Sequence, residues 1–554
     1  MQQTNKRRIK ADVLTPQWLF LVFIISMLCQ HSASVAKSEP DEGALDSLSV
    51  NMIVQNALKT FNTPGMSIAV IQHDKVLHLS GYGVANVQTE QAVDQKTYFR
   101  LASTSKAFTA ASVAMLVDTE QLDWNDRVID HLPHFRLSDP YATREITIRD
   151  LLSHRSGLGS GMGDSMLWPE PAGFSRAEIV HNLRYLTPQF SFRSRYAYSN
   201  VMYITAAEIV ASKVGLSWDK FIDSTIFQSL AMDCYAGDIP RPKLNNIAIP
   251  YAYHDDRGIY SVARNGISPK GLASAAAGGI VCNAEGMSNW LQHLISVYDL
   301  GKLPEMQHSR SQANPQPDTF PLFTPSQLHQ MWTAQTVLNV SRLEDEWDDT
   351  VLKSYGLGWR IANFYGHKFV SHTGTLSGFQ AYVGLLPDLG VGIAILNNGS
   401  NYGARSAVMQ TLLRQFVPEA ERKDWVKEYS LYQLGREQDY LARCKEPQGS
   451  GEVVLDPAAY IGRFKDQWFG YFDIKLDNDS LRIQSRKMPM LLGTLRPFQL
   501  NSWVIEWDNQ NAANDAFIHF NVDVNNQVSS FKMHPYVISE RENHAWRDMT
   551  FYKQ

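Results

Sequence analysis

Short apolar runs at residues 66–71 and 76–80 flank His73-Asp74-Lys75, the pattern of a strand, a tight turn and a second strand. After Tyr98-Phe99-Arg100, residues 103–117 carry apolar side chains at three- and four-residue spacing with no Gly or Pro, which predicts a helix with Ser103 near its N-terminal end. Residues 147–152 and 199–214 read as helices, and Asn283 is placed to cap another over 284–296. Between them, residues 156–174 contain four Gly after Gly157, two Pro and Trp168. This predicts a long irregular loop, and loops of such length within a compact domain are commonly functional covers.

From residue 369 the pattern turns to strands: one into His372, one over 379–386, a Pro387-Asp388-Leu389-Gly390 turn and one over 391–396, followed by a helix over 404–416. Strands at both ends of the unit with mainly helical sequence between them predict one antiparallel sheet assembled from both termini and flanked by helices, a mixed α/β class. Residues 419–454 read as a polar helical linker that ends in Pro447-Gln448-Gly449-Ser450-Gly451. Residues 455–554 alternate aromatic and β-branched runs with turn clusters, which predicts a separate all-β barrel or sandwich whose Trp and Tyr residues serve mainly as core.

With 554 residues, 44% of them hydrophobic, the chain can bury more than one core. Its net charge of −5 and the lack of a long basic block argue against a nucleic-acid partner. Lys6, Arg7, Arg8 and Lys10, the apolar run 18–29 and Ser34-Val35-Ala36 have the order of a secretory signal, so residues 1–36 are expected to be removed and 37–418 to form the first domain. The apolar run falls short of the roughly 20 residues of a comfortable membrane span, and an uncleaved signal anchor is the competing reading. Ser26-Met27-Leu28 lacks the small residue expected next to a lipid-modified cysteine, so Cys29 is expected to be lost with the signal. No later apolar run reaches membrane length, and the mature protein is expected in the periplasm or secreted. Cys234, Cys282 and Cys444 remain, widely spaced and odd in number, so one pair at most can form.

Ser-x-x-Lys, which on a helix brings an amine beside a hydroxyl, occurs four times, beginning at Ser34, Ser103, Ser217 and Ser529. Ser103-Thr104-Ser105-Lys106 differs from the others in its company: Tyr198-Ser199-Asn200 and His372-Thr373-Gly374-Thr375 follow it. Their order and broad spacing match the signatures of penicillin-binding proteins and serine β-lactamases. With Arg100 to Lys106, Leu151-Leu152-Ser153-His154-Arg155-Ser156-Gly157-Leu158 and Ala277-Gly278-Gly279, the chain from about residue 45 to 418 resembles the class C β-lactamase-related serine hydrolases. That family includes D-aminopeptidases, DD-peptidases, esterases and true β-lactamases. The C-terminal unit more weakly resembles the lipocalin-like barrels that some members carry.

The resemblance implies a β-lactamase/transpeptidase-like fold and an acyl-enzyme on Ser103, since a Ser hydroxyl needs a neighbouring base before it attacks a carbonyl. Lys106 is the first candidate for that base, although an ordinary Lys with a pKa of about 10.4 must be held neutral to act. Tyr198 is the rival base and the acid that protonates the leaving group. Asn200 is implied to bond Lys106 and the substrate amide, and the backbone N–H groups of Ser103 and Thr375 to form the oxyanion hole. His372, Thr373 and Gly374 complete the substrate-binding strand, where Gly374 suits close approach of a substrate backbone. His372 departs from the Lys usual in β-lactamases, which shifts the expectation toward a peptidase or esterase acting on amide or ester bonds, D-amino-acid peptides among them. A β-lactamase and a non-catalytic sensor or scaffold are the alternatives.

No Gly-x-Ser-x-Gly turn points to an α/β-hydrolase. His131-x-x-His134 and His254-Asp255-Asp256 read as loop residues rather than metal ligands, and no cofactor is expected. The partner is expected to be a small-molecule or peptide substrate, bound between walls formed by residues 156–174 and 266–279.

Overall fold

The computed structural model describes residues 47–262, 266–303, 321–443, 447–509, 515–536 and 546–554. The expected signal segment and Cys444 lie outside them. The main sheet comprises β1 (Gly65–Gln72), β2 (Lys75–Asn86), β3 (Gln91–Ala92), β4 (Thr336–Val337), β5 (Lys353–Tyr355), β6 (Arg360–Phe364), β7 (His367–Leu376), β8 (Phe379–Leu386) and β9 (Val391–Asn397). Their order is β3-β2-β1-β9-β8-β7-β6-β5-β4, with every pairing antiparallel. At the centre β1 pairs with β9 from Met66↔Asn397 to Gln72↔Val391, so the sheet is built from both ends of the domain as the pattern predicts.

Both central strands are buried on two faces. Ala69, Ile71, Ala394 and Leu396 face one core and Ile68, Val70, Ile393 and Ile395 the other. The first core receives α1 (Lys106–Asp118), α4 (Asn200–Val214) and α5 (Ala284–Leu300). Asn283 caps α5 by accepting from Gly286 N. Between them come α2 (Ile148–Leu152), where Thr147 and Asp150 form a capping box, and α3 (Arg176–Asn182), where Ser175 and Glu178 do the same. On the opposite face lies α6 (Gly403–Leu413), and the polar segment beyond it forms α7 (Trp425–Arg443).

Two features depart from simple periodicity. The predicted helix over 103–117 starts as a tight 3-10 turn, Ala102–Ser105, and only then becomes α1. Both the backbone N–H and the Oγ1 of Thr104 donate to the Leu101 carbonyl, at 3.2 and 2.8 Å, which tightens that turn. Residues 156–174 contain a short 3-10 turn, Asp164–Met166, and bury Leu158, Met162, Met166, Leu167 and Phe174 in the main core. This loop is part of the packed structure.

The C-terminal unit is a closed eight-stranded antiparallel barrel: β10 (Gly462–Asp466), β11 (Gly470–Asp477), β12 (Ser480–Ser485), β13 (Leu492–Gln499), β14 (Ser502–Trp507), β15 (Ala516–Val522), β16 (Val528–Pro535) and β17 (Phe551–Lys553). Side chains fill its interior, as barrels of this size allow. Tyr460 packs on Phe520 with centroids 4.8 Å apart and Phe531 on Phe551 at 4.7 Å. The barrel is seated on the 156–174 loop and α3. Gly173 N donates to the Lys487 carbonyl at 2.7 Å, Asn182 Nδ2 donates to the Trp468 carbonyl at 3.0 Å, and Phe174 lies 5.9 Å from the Phe469 ring.

Candidate active site

The site is centred on the turn that precedes α1. Strand residues Phe99 and Arg100 lead into Ala102, a non-glycine residue at φ 48°, and then into Ser103. Backbone strain of this kind costs of order 1–3 kcal/mol and is held by fully packed surroundings, here Leu101 and Ala102, both wholly buried. Ser103 itself remains partly open to solvent, whereas Lys106 is 0% exposed.

Lys106 Nζ lies 2.7 Å from Asn200 Oδ1, 2.7 Å from the Ala277 carbonyl and 3.3 Å from Ser103 Oγ. Burial holds its amine well below the usual lysine range, Arg360 acts in the same direction and Asp164 opposes both. Lys106 also sits 4.7 Å from the centroid of the Tyr198 ring and 5.3 Å from that of Tyr203. The Tyr198 hydroxyl is buried, and burial raises it above the ordinary tyrosine range even though Arg360 and Ser103 favour the ionised form.

Tyr198 and Asn200 are brought to Lys106 by the segment entering α4. Ser199 N donates to His154 Nδ1 at 3.0 Å, while Tyr198 N donates to Ser160 Oγ and its carbonyl accepts from Gly161 N. The 156–174 loop therefore pins the Tyr-x-Asn segment from one side. Asn200 is the first residue of α4 and is buried, and its Nδ2 donates to Asp164 Oδ2 at 2.8 Å.

His372 is 0% exposed. The Thr373 carbonyl can only accept, so its 2.8 Å contact assigns the proton to His372 Nδ1, and Nε2 accepts from the Tyr355 hydroxyl at 2.9 Å. Burial, with Arg360 and Lys106 next, holds the ring well below the usual histidine range and hence neutral. Thr373, Gly374 and Thr375 follow on β7. β6 pairs with β7 only as far as Ser371, which leaves this stretch with an open edge, and the Ala102–Ser105 turn packs against it. At Gly374 a Cβ would stand 2.2 Å from the Leu101 carbonyl oxygen, so glycine is what permits this approach.

Several residues of the site have no motif in the sequence. Arg360 on β6 donates to Thr373 Oγ1 at 3.0 Å and is the cation beside Lys106, Tyr198 and His372. Arg405 of α6 donates to the Gly374 and Ala381 carbonyls and, at 3.0 Å, to Thr375 Oγ1. Arg100 makes a two-pronged ion pair with Glu170 at 2.7 and 3.1 Å, and Ser274 Oγ donates to the same carboxylate. This pair ties the loop to the strand before Ser103, and Arg100 also reaches the Gly278 carbonyl at 3.4 Å.

The other described Ser-x-x-Lys pairs stand apart, exposed at the start of a short helix (Ser217, Lys220) and on the barrel (Ser529, Lys532). His131 Nε2 meets Asp126 Oδ2 at 2.9 Å, and His254 lies on an exposed hairpin.

A two-core α/β unit with a hydroxyl, a buried amine and a strand edge converging at one turn is the architecture of the penicillin-recognising serine hydrolases. Residues 50–417 match the family described as Beta-lactamase, and residues 455–548 match a domain of unknown function, DUF3471. The chain belongs to the β-lactamase family, whose members are serine hydrolases. It is 27% identical over 455 residues, 76% of each chain, to the Unguisins hydrolase ungD of Aspergillus violaceofuscus. Among solved structures, the octameric penicillin-binding protein homologue from Pyrococcus abyssi superposes with a TM-score of 0.55 at 18% identity, covering 92% of this chain and 100% of that one. A class C beta-lactamase mutant gives a TM-score of 0.50 at 19% identity over 66% of this chain and 96% of its own. Both show the shared fold.

Proposed function

We propose that the protein is an exported hydrolase that takes an acyl group from an amide or ester onto Ser103 and passes it to water, with D-amino-acid peptides among its substrates. The observation that carries this reading is the set of partners around Lys106. Asn200 Oδ1 and the Ala277 carbonyl can only accept, so a neutral amine spends both of its hydrogens on them and is left with its lone pair for the third neighbour, the Ser103 hydroxyl. The opposite displacements of Lys106 and Tyr198 divide the labour: the amine takes the proton and the phenol keeps its own.

Ser103 Oγ bonds to the substrate carbonyl carbon as its proton passes to Lys106. The C–N or C–O bond breaks, and the leaving group departs with a proton delivered through Tyr198. Water then cleaves the Ser103 ester by the same groups in reverse, releasing the acid. The backbone N–H groups of Ser103 and Thr375 would receive the developing oxyanion. Arg360 and Thr373, both partly open to solvent, offer a cation and a hydroxyl to a substrate carboxylate. The hydrolase name of the Aspergillus relative supports turnover over mere binding. Export is supported by the order of charged, apolar and small residues at the N-terminus and by the Cys234–Cys282 disulfide, a bond suited to an oxidising compartment.

The test is incubation with a fluorophosphonate and with a penicillin, followed by mass-spectrometric mapping. An adduct on Ser103, and loss of turnover of D-alanyl anilides or nitrophenyl esters in Ser103→Ala, are expected. An adduct on another serine, or turnover that survives the substitution, would refute the assignment.

A further inference from the structure

The Asn200 side chain bridges two groups of opposite demand. Lys106 keeps its lone pair for Ser103 only by giving Asn200 a hydrogen, and the Asp164 carboxylate can only accept. An amide placed between them has one orientation, with Oδ1 toward the amine and Nδ2 toward the carboxylate. We propose that Asp164 is a positioning residue, holding the Asn200 amide so that its oxygen, and not its NH2 group, is presented to Lys106. The proposal deepens the acyl-transfer reading and rests on it for its kinetic consequence.

The loop is built to keep Asp164 in place. Gly161 and Gly163, at φ 74° and 83°, turn the chain on either side of Met162. Asp164 N donates to the Gly161 carbonyl, and the Asp164 carbonyl accepts from Leu167 N and Trp168 N at 2.9 and 3.0 Å. A Cβ at Gly163 would stand 3.1 Å from Val201 Cγ1, so the loop backbone lies directly against the first turn of α4, where Asn200 begins. Beyond it, Glu170 is held by Arg100 and Gly173 by Lys487 of the barrel. The carboxylate thus reaches the site from a segment anchored on both the nucleophile strand and the C-terminal unit.

Without the carboxylate, Asn200 is free to rotate about its last bond and turn NH2 toward Lys106. That NH2 group would claim the amine's lone pair and remove one of the two acceptors that direct it to Ser103. Asp164 also has a second, electrical effect. The titratable and charged groups facing Lys106 are Asp164, Arg360, Tyr198, Tyr203, His154 and His372. Asp164 is the anion in this set and favours the protonated amine.

Two substitutions separate the effects. Asp164→Asn keeps an oxygen that can accept from Asn200 but removes the charge. Asp164→Leu removes both. With a nitrophenyl ester as substrate, Asp164→Leu is expected to lower kcat about 100-fold with a smaller change in KM, the scale of a misplaced catalytic group. Asp164→Asn is expected to keep most of the rate while the acid limb of its kcat/KM profile moves to lower pH, because the amine loses its proton more readily. Both variants within about threefold of wild type, with superimposable pH profiles, would overturn the proposal. So would a neutron crystal structure of Asp164→Leu, in which the amide hydrogens are seen, with Asn200 Oδ1 still 2.7 Å from Lys106 Nζ. A wild-type protein that no acylating probe modifies at Ser103 would instead refute the reaction, while the Asp164→Leu structure still reads the positioning.

Discussion

Gly374→Ala tests the close approach of β7 to the nucleophile turn. The added Cβ would stand 2.2 Å from the Leu101 carbonyl oxygen, 3.0 Å from Ala102 Cβ and 3.2 Å from Ala381 Cβ. Carbon and oxygen normally approach no closer than about 3.3 Å, so one side must retreat by about 1 Å. The Leu101 carbonyl is held by two donors from Thr104, and Leu101 N is bonded to Ile280 at 2.9 Å. On the other side β7 is locked by the Gly374↔Ala381 register and by Arg405 on the Gly374 carbonyl. The strain has no flexible side chain to absorb it. Overpacking of this kind costs about 1–3 kcal/mol of stability. A 1 Å displacement of Thr375 relative to Ser103 should slow acylation about 100-fold. The assay is the burst rate with a chromogenic ester, alongside thermal unfolding. Gly435→Ala is the control, since nothing lies within 4 Å of the Cβ position on α7; it should stabilise by about 0.5–1 kcal/mol and leave the burst unchanged. A folded Gly374→Ala protein that acylates within about threefold of wild type would refute the reasoning.

Three further outcomes follow from the same geometry. Arg100→Met strands a buried Glu170 and should cost about 3–5 kcal/mol in unfolding experiments, whereas Arg100→Met/Glu170→Leu should cost less than the sum of the single changes; additivity within about 0.5 kcal/mol would contradict this. Arg360→Leu removes a cation that disfavours the protonated form of Lys106, so the amine should hold its proton to higher pH and the acid limb of kcat/KM should move upward; a profile that stays put or moves down would be the contrary result. At the barrel seam, Asn182→Leu leaves the buried Trp468 carbonyl without its donor and should destabilise by about 1–3 kcal/mol, whereas Lys487→Ala removes a half-exposed pair with Glu178 and an exposed hydrogen bond to the Gly173 carbonyl, together worth up to about 1 kcal/mol; equal effects in thermal unfolding would argue against the seam as described.

What the chain announces locally is what periodicity and turn chemistry control. Strands β1, β2, β7, β8 and β9 were legible because apolar runs are bounded by His73-Asp74-Lys75 and Pro387 to Gly390, and α5 because Asn283 precedes it. The start of α1 was less so, since nothing in helix propensity marks Ala102 for a positive φ that the surrounding core imposes. Ser103, Lys106, Tyr198, Asn200 and the His372–Thr375 segment could be named because their spacing forms a recognisable set. Arg360, Arg405, Glu170 and Asp164 could not. Each works through a partner far along the chain, as when Arg100 meets Glu170 70 residues on, and an isolated charge in a strand or loop carries no sign of what it will face. The aromatic runs beyond residue 455 predict strands, but closure into a barrel depends on β10 meeting β17, a pairing that alternation alone does not specify.

The pairing of β1 with β9 also sets when this protein can fold. Gly65 N donates to Asn398 Oδ1 across 333 residues, and β1 has β9 as one of its two neighbours. A growing chain that has not yet made residues 391–397 therefore holds an apolar strand with an empty edge, the element most open to wrong pairing. The central ladder can close only late in synthesis, after a long loop has been brought together, which makes folding slow and nearly all-or-none for this domain.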